Sequence, residues 1–459
     1  MEEFEVDQSN IYYLKDAPIR KSLARLCIPM MIGISAGTIY NLINVFFIGL
    51  VHDTAMLSAI TLGLPIFTVL MAIGNVFGVG AGTFVTRLLG EGNLQKGKSV
   101  AGYAFYMSLI CGLIIAVIAL LFVNPIVHLL GADATTLLYT KQYTTTLFIG
   151  GFAFILNFAL EQIVRSEGAA KESMYGMFIS VIFSIIFDVL FILVLNLHVM
   201  GAALSMVLAN IAASIYYIWF LERKSETLRG FLKHWKVSMT DQLEIYKVGV
   251  PELFKMSFMI VTTLLLNNYA IEYGEHVVAS FGIAVRIAQL PEFITMGLFI
   301  GAISLIAYNY GGKNKLRLYE TLKELTLWIG GISIVFGGIV YLFKIQVLGF
   351  FTNDSAVLSI GALILIAQLI SSVFNGFTGL FTSIFQASGE GLATGIMSIT
   401  QGILFIPVVI ILHHFYGLNG IIWSLTLTEG ITFFMGAILM IPYLRKLKKM
   451  PDITIDHKK

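Results

Sequence analysis

Twelve stretches of about 20 mostly apolar residues, the first at Leu23–Leu50 and the last at Leu418–Leu444, run the length of the chain with short polar connections between them. A run of that length spans the hydrocarbon layer of a bilayer when helical, and a helix satisfies its own backbone hydrogen bonds where no water can. The sequence therefore predicts an all-α polytopic membrane protein with twelve transmembrane helices. Composition agrees, since 57% of the 459 residues are hydrophobic, 12% are charged and the mean hydropathy is +0.86. Such values exclude a water-soluble surface. The net charge of +2 is spread over short connections rather than one basic face, so no nucleic acid is expected as a partner. Cys27 and Cys111 both fall in apolar runs, which argues against a disulfide framework or a metal site. The polar, acidic start MEEFEVDQSNIYYLK does not resemble a cleavable signal peptide, leaving the first helix as the insertion signal.

Orientation follows from the basic residues. Of the 29 Lys and Arg, Lys141 and Lys344 fall on one side and Lys255 and Arg286 within helices, leaving 25 on the side that holds both termini. That side is expected to be the cytoplasm of a bacterial cell, with the chain multi-pass in the inner (plasma) membrane. An even number of helices demands the same for both ends.

The chain repeats itself. LLGEGN at Leu88–Asn93 aligns with NYGGKN at Asn309–Asn314, and RSEG at Arg165–Gly168 with QASG at Gln386–Gly389, each at an offset of 221. Pro29 and Pro251, 222 apart, are expected to open the first and seventh helices. Six helices per half means that the halves point the same way, a parallel repeat with a cleft between lobes. The expected division is an N-terminal lobe at 1–221, a charged cytoplasmic linker at 222–244 and a C-terminal lobe with tail at 245–459.

Two motif matches carry no chemistry. Gly92 to Ser99 fits GxxxxGK[ST], but a phosphate loop needs a strand before it and a nucleotide domain around it, and membrane helices flank this one. The Asn353 glycosylation pattern has no force in a bacterial chain. Gly74, Gly78 and Gly82 make a small-residue stripe on the second helix, expected to serve close packing within its own lobe.

Charges inside a bilayer are the first functional suspects. Asp188 sits about 21 Å along the fifth helix from its cytoplasmic start, and no Lys or Arg of the N-terminal lobe lies at that depth. It is a candidate proton carrier unless a cation occupies it. Ser184 shares its face. Tyr40, Asn41 and Asn44 form a polar stripe on the first helix at similar depth. Asn157, Glu161 and Arg165 form a second stripe on the fourth, readable as an internal Glu–Arg pair or as a lure for cationic substrates. In the C-terminal half Glu252, Lys255, Arg286 and Glu292 suggest a self-neutralising network, while Glu429 has no partner on its own helix. The 35 Phe, 19 Tyr and 18 Met suit a cleft that holds varied lipophilic cations.

The twofold six-helix plan, TLGLPIFTVLMAIGNVFGVGAGTFVTRLLGEGN in the second helix, and ASFGIAVRIAQLPEF followed by LIAYNYGG in the eighth resemble the MATE (multidrug and toxic compound extrusion) family, most closely its MepA-type multidrug efflux branch. The resemblance covers nearly the whole chain. It implies a V-shaped, alternating-access exporter, with no enzymatic activity and no cofactor, that exchanges cationic lipophilic compounds such as dyes, quaternary ammonium compounds or fluoroquinolones for H⁺ or Na⁺. A monomer and a part in antibiotic resistance are expected with it. Asp188 matches the family's fifth-helix acid. Asn44 stands where many members have Asp, Ser184 where many have Asn, and Met259 and Asn375 where some carry ion-site carboxylates, which moves the coupling load onto Asp188. Tyr40, Asn41, Asn157, Glu161, Arg286 and Glu292 are the cleft candidates. Lys255 and Arg286 also keep open a lipid-linked-precursor flippase of the same superfamily. A membrane enzyme or channel finds no catalytic constellation or filter-like repeat to support it.

Overall fold

The computed structural model describes residues 9–49 and 53–451; the side chains of residues 38–46, 48 and 49 fall outside that description. After a short arm helix α1 (Asn10–Lys15) come α2 (Ile19–Gly49), α3 (Thr54–Gly90), α4 (Leu94–Leu121), α5 (Val123–Leu129), α6 (Leu137–Ile149), α7 (Gly151–Ser166) and α8 (Ala170–Asp188). A π-helical turn (Val189–Val194) leads to α9 (His198–Arg223), and a 3₁₀ turn (Phe231–Lys233) interrupts the linker. The second half holds α10 (Met239–Ile271), α11 (Glu275–Gly311), α12 (Lys315–Leu342), α13 (Lys344–Gly349), α14 (Ser355–Ser388), α15 (Gly391–Ile403), α16 (Phe405–Tyr416) and α17 (Leu418–Lys449). Among the described residues ten spans are long and apolar enough to cross a bilayer, and the bent pair α6/α7 makes an eleventh. The 31-residue α2 occupies the place of the expected first.

In the second and third helices of each half the repeat is reproduced to the residue. Helices α3 and α11 each have 37 residues and α4 and α12 each have 28. Asn93 and Asn314 cap α4 and α12 alike, their side chains accepting from the Lys96 and Arg317 amides. Gly92 and Lys313, and Gly168 and Gly389, are left-handed at matching turns, with φ of 78°, 53°, 81° and 72°.

Two local expectations are corrected. The fourth helix is not continuous but bends by 51° between α6 and α7. Gly150 lies at the break, and Val207 of α9 sits so close that a Cβ there would meet it at 2.1 Å. The eleventh span runs as one segment, Gly391–Tyr416, with only Leu404 set apart between α15 and α16, where Pro407 cannot donate to the carbonyl one turn back. Pro29 and Pro251 lie inside α2 and α10 rather than at their starts, because the helices continue into the polar flanks.

Grouped by contacts, the chain forms two units, Met1–Ala17 with Ile32–Leu253 and Pro18–Met31 with Phe254–Lys459. Two of the crossings fall two residues after Pro29 and Pro251, where the missing backbone N–H loosens the helix and lets its two parts pack in different units. The lobes expected at 1–221 and 245–459 supply most of each unit, with these helix starts exchanged.

Within unit 1 the small-residue stripe packs α3 on α7. Cβ atoms on Gly74 and Gly78 would meet the Ile155 and Phe158 carbonyls at 2.8 and 2.9 Å. The start of α10 belongs here too, since Val76 O lies 2.0 Å from where a Gly249 Cβ would stand. The Gly92–Ser99 segment is the capped turn into α4, with no strand before it. Unit 2 is built around α11 and α14. Gly297 and Gly301 admit the start of α2, a Cβ on them meeting Met31 and Cys27 at 2.5 and 2.7 Å.

Candidate functional site

Asp188 ends α8 at the junction with the π-helical turn and is fully buried. Such π segments widen a helix by one residue and often mark functional positions. The chain then reverses through Leu195–His198, where Asn196 and His198 take left-handed conformations (φ 53° and 49°) that these two residue types adopt more readily than most side chains. The reversal sets α9 against α8 and brings Ser205, 17 residues on, to donate its hydroxyl to Asp188 Oδ1. Ser184, one turn before Asp188, is buried on the same helix. From α6, the buried Tyr143 ring lies within reach of the Asp188 charge and its hydroxyl approaches Met206 Sδ at 3.7 Å. Gly63 makes room for that ring, since a Cβ there would meet it at 2.4 Å. Thr140 and Thr144, one turn apart on α6, are buried with no hydroxyl partner among the described residues. The side chains of Tyr40, Asn41 and Asn44 lie outside the described residues.

The Asn157–Glu161–Arg165 stripe is an internal network. Glu161 and Arg165 form a buried ion pair at 3.0 Å, and Asn157 donates to Asn210 Oδ1 at 2.9 Å, which in turn donates to Met206 O. The bland alternative for Glu161 is thus what the geometry gives, a carboxylate neutralised one turn away on its own helix.

In unit 2 Arg286 and Glu292, two members of the expected four-residue network with Glu252 and Lys255, do not pair with each other among the described residues. Arg286 is exposed on α11, while Glu292 lies within reach of the Glu429 charge on α17. Glu429 is buried, and its Oε1 accepts from Asn375 of α14 at 3.3 Å and from Gln401 of α15 at 3.2 Å. Its Oε2 has no partner among the described residues. Lys255 of α10 is near enough for its charge to act on this carboxylate. Met259 is exposed and takes no part. A second buried acid, held by two amides from two other helices, therefore exists in the half where the sequence suggested mutual neutralisation. The signal for it was Glu429 itself, an acid inside an apolar run, but its partners lie 54 and 28 residues away. Ser205 was missed because a serine in a membrane helix carries no signal of its own. Among the described residues no group of three or more His, Cys, Asp or Glu could hold a metal ion.

Known proteins place these features. Two segments, residues 29–190 and 251–411, each match the MatE family, so the family pattern occurs twice with the offset of the internal repeat. The multidrug export protein MepA of Staphylococcus aureus (strain MRSA252) is 38% identical over 435 residues, covering 95% of this chain and 96% of its own length. MepA of Staphylococcus saprophyticus is 39% identical over the same length. Among solved structures, a multidrug resistance MATE family transporter of the MOP superfamily in an outward-facing conformation superposes with a TM-score of 0.88 at 26% identity, covering 96% of this chain and 99% of that one. A MATE in complex with MaL6 superposes equally well at 25% identity, with the same coverage. The chain belongs to the MatE family and is a membrane transporter, not an enzyme.

Proposed function

We propose that this protein exports cationic lipophilic compounds from a bacterial cell in exchange for protons, by alternating access, with Asp188 as the coupling carboxylate. The multidrug export activity named for its MepA relatives supports the substrate class. The observation that carries the coupling assignment is the buried Asp188, deep in a spanning segment, set at an α–π junction against a serine hydroxyl. A carboxylate in that position can hold either a proton or the field of a cation, not both at full strength, so each ligand opposes the other, and that opposition is the thermodynamic content of antiport. Ser184 and Asn44 are assigned as its neighbours in the ion site. Tyr40 and Asn41 are assigned to the cleft, and Asn157 and Glu161 to internal packing. Both termini are placed in the cytoplasm by the basic-residue asymmetry.

Everted membrane vesicles test the reading. Ethidium efflux driven by an imposed pH gradient, abolished in Asp188→Asn, is the expected result. Efflux driven equally by an imposed Na⁺ gradient, or untouched by the substitution, would overturn proton coupling at Asp188.

A further inference from the structure

The turn that follows α7 holds a carboxylate for which transport has no evident use. Glu167 lies outside the spanning segments, yet it is only 2% exposed. Its Oε2 accepts from the Ser225 hydroxyl at 2.6 Å and from the Thr227 hydroxyl at 2.7 Å, both at the start of the linker after α9. Ser225 in turn accepts from the amide of the fully buried Leu228 at 2.8 Å. Glu167 Oε1 has no partner among the described residues. The N-terminal arm covers the same turn. Leu14, fully buried, and the Asn10 carbonyl crowd Gly168 so closely that a Cβ there would meet them at 3.1 and 3.2 Å. Ser9 donates to Glu226 Oε2 at 2.7 Å and the Asn10 amide to Oε1 at 3.2 Å. Arm, linker start and turn thus close over one buried acid.

The charges around it favour no compensation for an anion. Burial, reinforced by the negative charge of Glu226, pushes the Glu167 carboxyl up to about 7, and the two hydroxyls and the Thr227 amide that favour the ionised form only partly offset this. The other charged groups on the elements packed here are Lys15 and Asp16 of the arm, Arg87 and Glu91 at the end of α3, whose Thr86 hydroxyl donates to Ser166 O, Arg165 on α7 facing Glu161, Lys171 and Glu172 on α8, Glu222, Arg223 and Lys224 at the end of α9, and Arg229 in the linker start. Among all these, Glu226 is the one whose field acts on Glu167.

We propose that Glu167 is a proton-operated latch: neutral, it lets the N-terminal arm and the linker start close over the end of α7, and ionised, it drives them off. A carboxyl that holds its proton more tightly when covered than when free makes covering proton-linked. The covered state is fully favoured below about 4.5, the ordinary value, and is weakened by up to about 300-fold as pH rises to about 7, beyond which it changes no further. The chain passes from unit 1 to unit 2 between Ala17 and Pro18, directly after the arm. With the orientation proposed above, the acidity sensed is that of the cytoplasm.

The test is a spin label at the exposed Asp16, introduced as Asp16→Cys with Cys111→Ser, Cys27 being buried, in purified full-length protein in lipid nanodiscs that expose both faces to the buffer. The wild-type latch should show the ratio of immobilised to mobile label falling at least tenfold between pH 5 and 7.5. In Glu167→Gln, which keeps the hydroxyl contacts but cannot ionise, the label should stay immobilised throughout. A wild-type spectrum that does not change with pH, or a Glu167→Gln protein that titrates like the wild type, would overturn the latch. Neither outcome depends on Asp188, on transport or on which face is cytoplasmic.

Discussion

The Ser205 hydroxyl stands between two acceptors, Asp188 Oδ1 across the helix hairpin and the Ala202 carbonyl 2.9 Å away on its own helix. It has one hydrogen to give. With Asp188 ionised, the hydrogen goes to the carboxylate; with Asp188 neutral, the carboxyl donates to Ser205 and the serine hydrogen returns to Ala202. The protonation state of Asp188 thus decides whether α9 makes this back-bond. Removing a hydrogen bond to a charged group costs about 1.5–3 kcal/mol, so Ser205→Ala should lower pH-gradient-driven efflux by roughly tenfold or more. Ser205→Thr keeps the hydroxyl and should restore most of it. Vesicle efflux normalised to protein in the membrane reads the difference, and full activity in Ser205→Ala would remove the residue from the coupling site.

Gly78 and Gly337 are both helical glycines in spanning segments, but their surroundings differ. A Cβ on Gly78 would lie 2.9 Å from the Phe158 carbonyl and 2.7 Å from Gln162, whereas nothing lies within 4 Å of one on Gly337. Backbone cannot move aside as a side chain can, so Gly78→Leu should pry α3 from α7 and sharply reduce the yield of monodisperse protein. Gly337→Ala should be neutral or stabilising by up to about 1 kcal/mol. Thermal unfolding followed by size-exclusion chromatography in detergent distinguishes them; equal behaviour would mean that the stripe is not a packing device.

Glu429 ties three helices together through the Asn375 and Gln401 amides. Glu429→Ala leaves both amides without their acceptor and opens a cavity, and each orphaned buried polar group costs about 1–3 kcal/mol. Glu429→Gln keeps an acceptor oxygen in place and relieves the repulsion from Glu292. The melting temperature should therefore fall much further in Glu429→Ala than in Glu429→Gln. If both fall alike, the ionised carboxylate rather than its hydrogen bonds is what unit 2 requires.

The spans and the repeat were legible because the bilayer imposes a length on every helix and because matched turns such as Gly92/Lys313 recur at one offset. Asp188 was legible because depth can be counted along a helix. The bend at Gly150 was not, since it depends on Val207 arriving from another helix. Nor was the role of Pro29 and Pro251, which looked like helix openings because the helices run on into polar sequence that no bilayer rule marks. The Glu429 cluster and the Glu167 turn share a further reason. Their acids were visible, but what an acid does depends on donors brought from distant segments, Asn375 and Gln401 in one case and Ser225 and Thr227 in the other.

Asp188 itself carries the last prediction. If it alternates between a proton and the field of a cationic substrate, binding of substrate to the protonated protein must expel the proton, and the same coupling free energy must appear when a proton expels substrate. Asn has the size and much of the hydrogen bonding of Asp but cannot titrate, and it can still accept from Ser205 through its carbonyl oxygen. Asp188→Asn should therefore insert and fold like the wild type, with a melting temperature close to it, and still bind a lipophilic cation such as ethidium. Adding that cation to purified wild-type protein in weakly buffered detergent should release protons, with the amount falling as pH rises and the site empties of its proton beforehand. The variant should release none at any pH. Undiminished release from Asp188→Asn would move the coupling group elsewhere in the chain, with Glu292 and Glu429 the next carboxylates to substitute, because both lie inside spanning helices, Glu429 buried and Glu292 within reach of its charge.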